Sequence, residues 1–360
     1  MTTDARSTCW NADTMAPMPL DPVASLMLDE AGPLPARVLV LDDVGGELTQ
    51  AATEAGALVR TWCDDVRDLE AVPPHLRVAG VLTTEGSPEL VLWRLPQSVA
   101  AVEDYAEYLA ARLDPSARVV AGGRTKHMTV AFNTALARQF TTVSASLGRQ
   151  KSRVLHASGA RPAPPRWPMR RYLPEVGVTA VAHGNVFNTN RLDDGTHLLL
   201  RTLSRAAGEP VTNGGPPRGV ALDLGCGSGI IATWLAQRGW ATTGVDASLS
   251  ALVSTRLTAR TNRVRVAVRR ADMLAGTRSQ SVDLLVTNPP FHIGAAKDSR
   301  PTLAMIRAAA SVLRPGGEMW MVFNSHLPYL PELRRHIGVT TVEAQDRHYI
   351  VARALKEHAS

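Results

Sequence analysis

The stretch that constrains this chain most is Gly219-Val-Ala-Leu-Asp223-Leu-Gly225-Cys-Gly227-Ser-Gly229-Ile-Ile231. An apolar run ends in an acid, glycines then alternate with small residues, and two isoleucines open the next segment. That order reads as a β-strand, a tight loop and the start of a helix. It commits this half of the chain to a βαβ unit and hence to a sheet with parallel strands. Glycines at alternate positions let the backbone take φ values that a Cβ disfavours, and they let a ligand approach the main chain. The six-position dinucleotide fingerprint needs glycine at its sixth place, where this chain has Ile230. A second phosphate-binding signature, such as a Walker lysine, is also missing. The acid-x-Gly-x-Gly-x-Gly form instead suits a ligand without phosphates, whose amino-acid part lies against the glycine backbone. The alternative is a purely structural βα turn.

S-adenosylmethionine is a ligand of that kind. Gly225, Cys226, Gly227 and Gly229 would cradle it, and Asp223 would organise its ammonium group directly or through water. The next strand, Ala241–Asp246, ends in an acid whose two oxygens match a ribose diol. A third strand, Val264–Val268, leads to Asp272, which would receive the adenine amino group or simply cap a helix. A fourth, Val282–Thr287, ends at Asn288-Pro289-Pro290-Phe291. Two prolines stop a strand abruptly, because neither donates an N–H and both fix φ. They leave an amide, carbonyls and an aromatic ring at the strand's carboxyl end. That set suits an exocyclic amino group on a flat heterocycle; the alternative is a proline turn with its Phe in the core. Four successive strands thus carry polar groups on one rim of a parallel sheet. Downstream, a helix over Arg300–Leu313, a turn at Arg314-Pro-Gly-Gly317 and a strand over Glu318–Phe323 are predicted. Val339–Ala344 and Tyr349–Leu355 read as an antiparallel closing hairpin.

At 360 residues the chain has room for about two domains. Its 45% hydrophobic and 20% charged residues are those of a soluble globular protein. Cys9, Cys63 and Cys226 lie far apart without metal-ligand spacing, which argues against a zinc site or disulfide framework and for a reducing cytoplasm. No apolar run reaches membrane length, and no signal peptide is evident, so no membrane partner is expected. The net charge of +6 is compatible with a polyanionic partner.

Residues 1–20 read as a flexible arm. Arg37–Asp42 is a predicted strand, followed by Asp43-Val-Gly-Gly46, a helix over Glu47–Ala55, a strand over Leu58–Trp62, and the acids Asp64 and Asp65. This is a second βαβ start with a worn loop, in which two adjacent glycines stand where a working loop spaces three. It implies a domain that no longer holds a cofactor. Strands are predicted at Val78–Thr83, Leu90–Leu95 and Arg118–Gly123, with a helix over Val99–Leu113. Gly123-Arg-Thr-Lys126-His127 puts basic groups beyond a strand end, where they would meet RNA phosphate or form a solvated turn. From Ser146 to Pro174 the chain has no acid but many arginines, including Arg166, Arg170 and Arg171. This proline-broken run reads as an interdomain connector. Its arginines and aromatic residues would grip a phosphate backbone and stack a base, or the run is a stiff linker with solvated arginines.

These residues resemble the class I S-adenosylmethionine-dependent methyltransferases and, more narrowly, the two-domain ribosomal RNA guanine-N2 methyltransferases. The narrower resemblance rests on Asn185-Val-Phe187, Leu192-Asp-Asp-Gly195-Thr-His-Leu-Leu-Leu200, Asn288-Pro-Pro-Phe-His292, Gly317-Glu and Asn324-Ser-His-Leu-Pro-Tyr329. Leu41-Asp-Asp43, Gly123-Arg-Thr-Lys-His127 and Tyr349-Ile-Val-Ala-Arg-Ala-Leu-Lys356 bring it nearest the large-subunit (23S) enzymes, with the small-subunit (16S) sisters as runner-up. The resemblance implies an α/β fold of two tandem Rossmann-like methyltransferase domains. The C-terminal domain would hold a mostly parallel seven-stranded sheet closed by the antiparallel hairpin, and the N-terminal one would be a degenerate copy that helps hold RNA. The implied boundaries are an arm at 1–20, the degenerate domain at 21–160, a Pro/Arg-rich linker at 161–175 and the catalytic domain at 176–360.

The family also implies roles. Asn288 and the Pro289 carbonyl would accept the hydrogens of the guanine amine, beside Pro290, with Phe291 stacking the base. Thr196 and Asn288 would join the cofactor site. His292 would contact RNA or the base edge or play a structural part, and Asn324 would face RNA; Lys126, Arg166, Arg170 and Arg171 are RNA-facing candidates from the residues themselves, since the connector does not clearly follow the family's pattern, and no metal is called for. The partner would be ribosomal RNA, free or in a subunit or assembly intermediate, met by a cytoplasmic monomer. Glutamine and adenine N-methyltransferases share the Asn-Pro-Pro strand end but typically follow it with Tyr. Ile230 disfavours a nicotinamide oxidoreductase, and the loop at 223–229 disfavours a cofactor-free RNA-binding module.

Overall fold

The computed structural model describes residues 20–78, 87–207, 217–289 and 300–357. The N-terminal unit begins with α1 (Pro22–Ala31), which the sequence reading left without an element. Asp21 caps it by accepting the Val23 and Ala24 N–H groups, and Pro22 sits in the first turn, where its missing donor costs nothing. There follow β1 (Arg37–Leu41), α2 (Glu47–Glu54), β2 (Leu58–Trp62), α3 (Val66–Glu70), β3 (Leu90–Arg94), α4 (Val99–Ala110), β4 (Arg118–Arg124), α5 (Val130–Ala137), β5 (Phe140–Ala145) and β6 (Ser152–Ala160). The sheet order is β2-β1-β3-β4-β6-β5. Its first four strands are parallel, and β6 and β5 add on antiparallel. Burial on both faces explains the near-continuous apolar runs of β1 and β3. The strand predicted at Val78–Thr83 lies outside the described residues beyond Val78; at its edge, Arg77 bridges Thr61 in parallel.

The arginine-rich connector is partly regular. Met169–Leu173 forms β7, paired antiparallel with β8 (Val178–Ala182). Then come α6 (Asp194–Ala207), β9 (Val220–Leu224), α7 (Ile230–Gln237), β10 (Ala241–Asp246), α8 (Leu249–Thr261), β11 (Val266–Arg270), β12 (Val282–Thr287), α9 (Arg300–Val312), β13 (Leu313–Asn324), α10 (Tyr329–His336), β14 (Gly338–Gln345) and β15 (Tyr349–Lys356). The seven-stranded sheet runs β11-β10-β9-β12-β13-β15-β14. All neighbours are parallel except the β15 pairings with β13 and β14, as the resemblance implied. β11 starts two residues later than the sequence suggested. β13 carries the expected Arg314–Gly317 turn as a bulge: Leu313 pairs with Val282 and Glu318 with Leu284, and the four residues between have no partner in the register.

Side-chain alternation along β13 builds the two core layers. Met319, Met321 and Phe323 pack with Ile306 and Leu333 of α9 and α10 on one face. Trp320 and Val322 pack with Leu199 of α6 and Trp234 of α7 on the other. Strand for strand, the N-terminal order repeats the C-terminal one without a described counterpart of β11.

The two units dock through polar groups that are individually satisfied. Asp64, buried at the end of β2, accepts from Ser248 Oγ (2.6 Å), the Ser250 N–H (2.7 Å) and Asn185 Nδ2 (2.9 Å). Arg270 donates to the Cys63 and Asp64 carbonyls. Asp104 of α4 accepts from the Gly184 N–H and pairs with His183 Nδ1. Gly184 is required there, because a Cβ would fall 2.0 Å from the Ala100 carbonyl oxygen. Beside this contact a cleft of about 890 Å³ opens at the carboxyl end of the first sheet, with Asn185 and Ser248 of the second unit in its wall.

Candidate active site on the C-terminal rim

The loop after β9 is built from left-handed glycines: Gly225, Gly227 and Gly229 have φ of +72°, +51° and +76°. Their surroundings differ. A Cβ on Gly229 would lie 2.7 Å from Thr255 Cα, so this glycine serves the packing of α7 on α8. Gly225 has nothing within 4 Å and Gly227 only Val186 Cγ1 at 3.7 Å, so these two present bare backbone to open space. Cys226 is buried, and its Sγ receives the Thr255 hydroxyl at 3.2 Å. Burial pushes its thiol well above the usual range, with Asp223 and Asp246 adding to the shift, so it is no nucleophile.

Asp223 is fully buried; one oxygen accepts the Ala232 N–H at 2.8 Å and the other, Oδ1, has no partner. Burial raises its pKa to about 7. An unpaired carboxylate oxygen behind a glycine loop is costly unless positive charge comes near. No part of Asp223 reaches the surface, and the loop stands between it and solvent. Asp246 ends β10 and receives the Gly227 N–H (3.0 Å) on one oxygen and the Ser248 N–H (2.9 Å) on the other. The two bonds fix its carboxylate while leaving each oxygen a lone pair for a diol. Asp272 follows β11 on the same rim. Open glycine backbone, an uncompensated buried acid and a pinned carboxylate together fit S-adenosylmethionine, whose ammonium and ribose hydroxyls supply what each lacks.

Asn288 ends β12. Its Nδ2 donates to Asp193 Oδ1 and to Thr196 Oγ1, both at 2.9 Å. Thr196, read from the resemblance as a cofactor residue, thus also holds Asn288. Asp193 caps α6 by accepting the Thr196 N–H at 3.0 Å, and sequence reading gave it no role. An acid just before a helix is a recognisable cap signal, but nothing local announces a partner ninety-five positions away. Pro289 is buried beside Asn288. Pro290, Phe291 and His292 lie outside the described residues.

The remaining candidates are spread around this centre. Asn324 ends β13 on the same rim. Lys126 lines the interdomain cleft with His127, Lys151, Asp64 and Ser248. The Arg166 side chain is exposed, and its backbone N–H is held by Glu107. Arg170 and Arg171 are exposed on β7 next to Tyr172, which is 61% accessible. Trp167, the other aromatic residue of that run, is 9% accessible and packs inward, so it offers no stacking face.

The N-terminal loop reproduces this backbone with different contents. Gly46 caps α2 with φ +76°, the value of Gly229 before α7. Asp42, with φ +56°, stands after β1 where Gly225 stands after β9. It places a half-buried carboxylate, accepting the Asp64 N–H at 2.8 Å, where the second loop leaves open space.

Two family descriptions match the chain: "RLMG N-terminal domain" over residues 26–161 and "Methyltransferase small domain" over 177–353. A ribosomal RNA large subunit methyltransferase G of Streptomyces avermitilis is 32% identical, with 98% of this chain and 100% of the relative covered. That of Streptomyces coelicolor is 35% identical, covering 90% and 89%. Among solved structures, a 16S rRNA N2 methyltransferase of T. thermophilus, determined with AdoMet and guanosine, superposes with a TM-score of 0.76. It covers 94% of this chain and 92% of its own at 24% identity, a likeness of fold.

Proposed function

The chain belongs to the ribosomal RNA large subunit methyltransferase G family, and on that premise we propose that it methylates the exocyclic N2 amine of a guanine in 23S rRNA. The observation that carries this reading is the Asn288 amide. Both Nδ2 protons are committed to Asp193 and Thr196, so Oδ1 is what the side chain offers a substrate. An acceptor at that place suits an amine.

S-adenosylmethionine, when bound, supplies a methyl group already activated by a cationic sulfur, so the surrounding residues have no strong base to provide. Asp246 and the Gly225–Gly227 backbone hold and orient it, Asp223 offsets its ammonium charge through the loop, and Asp272 faces its base. Asn288 Oδ1 and the Pro289 carbonyl accept the two N–H groups of the guanine amine. These bonds strengthen as the nitrogen gains positive charge, which is the differential stabilisation catalysis needs. Alignment of the amine at near-attack distance contributes on the order of several kcal/mol. Phe291 stacks the base, which leaves its helix to reach the rim. Lys126, His127 and Lys151 in the cleft, with Arg170 and Arg171 on β7, meet the phosphates. The N-terminal unit then holds RNA and not a second cofactor, because Asp42 fills the place of an open glycine.

Mass-spectrometric mapping of rRNA from a strain deleted for the protein tests the proposal. Loss of one N2-methylguanosine from 23S rRNA is expected. Unchanged 23S rRNA, with a guanine or adenine methyl lost from 16S rRNA instead, would contradict it.

A further inference from the structure

Asp193 does more than cap a helix. Its Oδ1 takes both the Thr196 N–H at 3.0 Å and one proton of Asn288 Nδ2 at 2.9 Å, so a single oxygen ties the start of α6 to the end of β12. An asparagine amide is nearly symmetric in shape, and its two ends differ only in what they bond. Thr196 Oγ1, the other partner at 2.9 Å, is a hydroxyl and would serve either end, donating to oxygen or accepting from nitrogen. An ionised carboxylate only accepts. Beside Asp193 the amide therefore has one tolerable orientation, with nitrogen inward and oxygen outward. A flipped amide would set two acceptors against each other and turn N–H groups toward the substrate amine.

We propose that Asp193 is a positioning residue: it fixes the Asn288 amide with its oxygen toward substrate and so selects a hydrogen-donating amine. The inference rests on the proposed reading of the site and adds what sets its polarity. Thr196 has the subordinate part, since its hydroxyl follows either orientation.

The test uses the full chain with Asp193→Ser, because serine caps helices about as well as aspartate and preserves the structural role. In single-turnover transfer to 23S rRNA, Asp193→Ser is expected to slow methylation about 10- to 100-fold. S-adenosylhomocysteine affinity by calorimetry and the melting temperature should stay near wild type. Thr196→Val should slow transfer far less than Asp193→Ser. A second measurement needs no substrate. The Asn288 side-chain amide protons, observed by nitrogen-15 NMR, should exchange with solvent at least about tenfold faster in Asp193→Ser. If wild-type protein transfers no methyl to rRNA, the substrate reading fails, while the exchange experiment still decides the role of Asp193. Wild-type transfer by Asp193→Ser, a loss matched by an equal loss of cofactor affinity, or unchanged amide exchange would overturn the inference.

Discussion

At Asn288 the chemistry narrows to one atom. Asn288→Ala removes the Oδ1 acceptor but none of the groups assigned to the cofactor's ribose or ammonium. Its kcat should fall about 100- to 1,000-fold, as for loss of one preorganised transition-state partner, with S-adenosylhomocysteine affinity unchanged. Asp246→Ala has the reverse signature, since it removes both proposed ribose acceptors. It should weaken cofactor binding by about 2 kcal/mol in calorimetry. Asp223 gives a pH signature. Its carboxyl titrates at 3.8 in the unfolded chain and about 7 in the fold, so between those values the folded state binds the extra proton. Its contribution to stability is fullest at low pH, declines as pH rises from about 4 to 7, and is level above. The melting temperature of Asp223→Asn relative to wild type, without cofactor, should therefore climb across that window and then flatten. The acid, the glycines and Asn288 were legible in the sequence because each is announced by its neighbours along the chain. Asp193 was not, because its partner is close only after β12 and α6 have met on the sheet.

Elements decide which glycines matter and why. Gly229 closes against α8, whereas Gly225 opens to the space proposed for the ligand. Gly229→Ala should depress the melting temperature by forcing Thr255 aside. Gly225→Ala should fold but lose cofactor affinity, since its added methyl enters open space. Both also carry the strain of a Cβ at positive φ. The strands themselves were readable because buried parallel strands are short, apolar and bounded by breakers. The Arg314–Gly317 turn was legible in the same way. Its four residues stand as a bulge in β13, between the pairs Leu313–Val282 and Glu318–Leu284. Met169–Leu173 looked like connector because prolines flank it, yet β8 supplies a partner that the sequence does not mark. There tertiary pairing outweighed local propensity.

Over the whole molecule, the repeated sheet order gives each unit one such loop, worn in the first and open in the second. The duplication was visible in the two βαβ starts, but their docking was not. Asp64 reaches Ser248 across 184 positions, and no local pattern encodes that reach. The cleft there sets Arg94, Arg124, Lys126 and Lys151 of the first unit among Asp42, Asp64, Asp65 and Asp68, with Asn185 and Ser248 from the second. The most direct test of the account is transfer of labelled methyl from S-adenosylmethionine to unmodified 23S and 16S rRNA by wild type and Asn288→Ala, with nucleoside mass spectrometry of the products. The account predicts N2-methylguanosine at one site in 23S rRNA with wild type and almost none with Asn288→Ala. Label on adenine or in 16S rRNA alone, or undiminished transfer by Asn288→Ala, would contradict it.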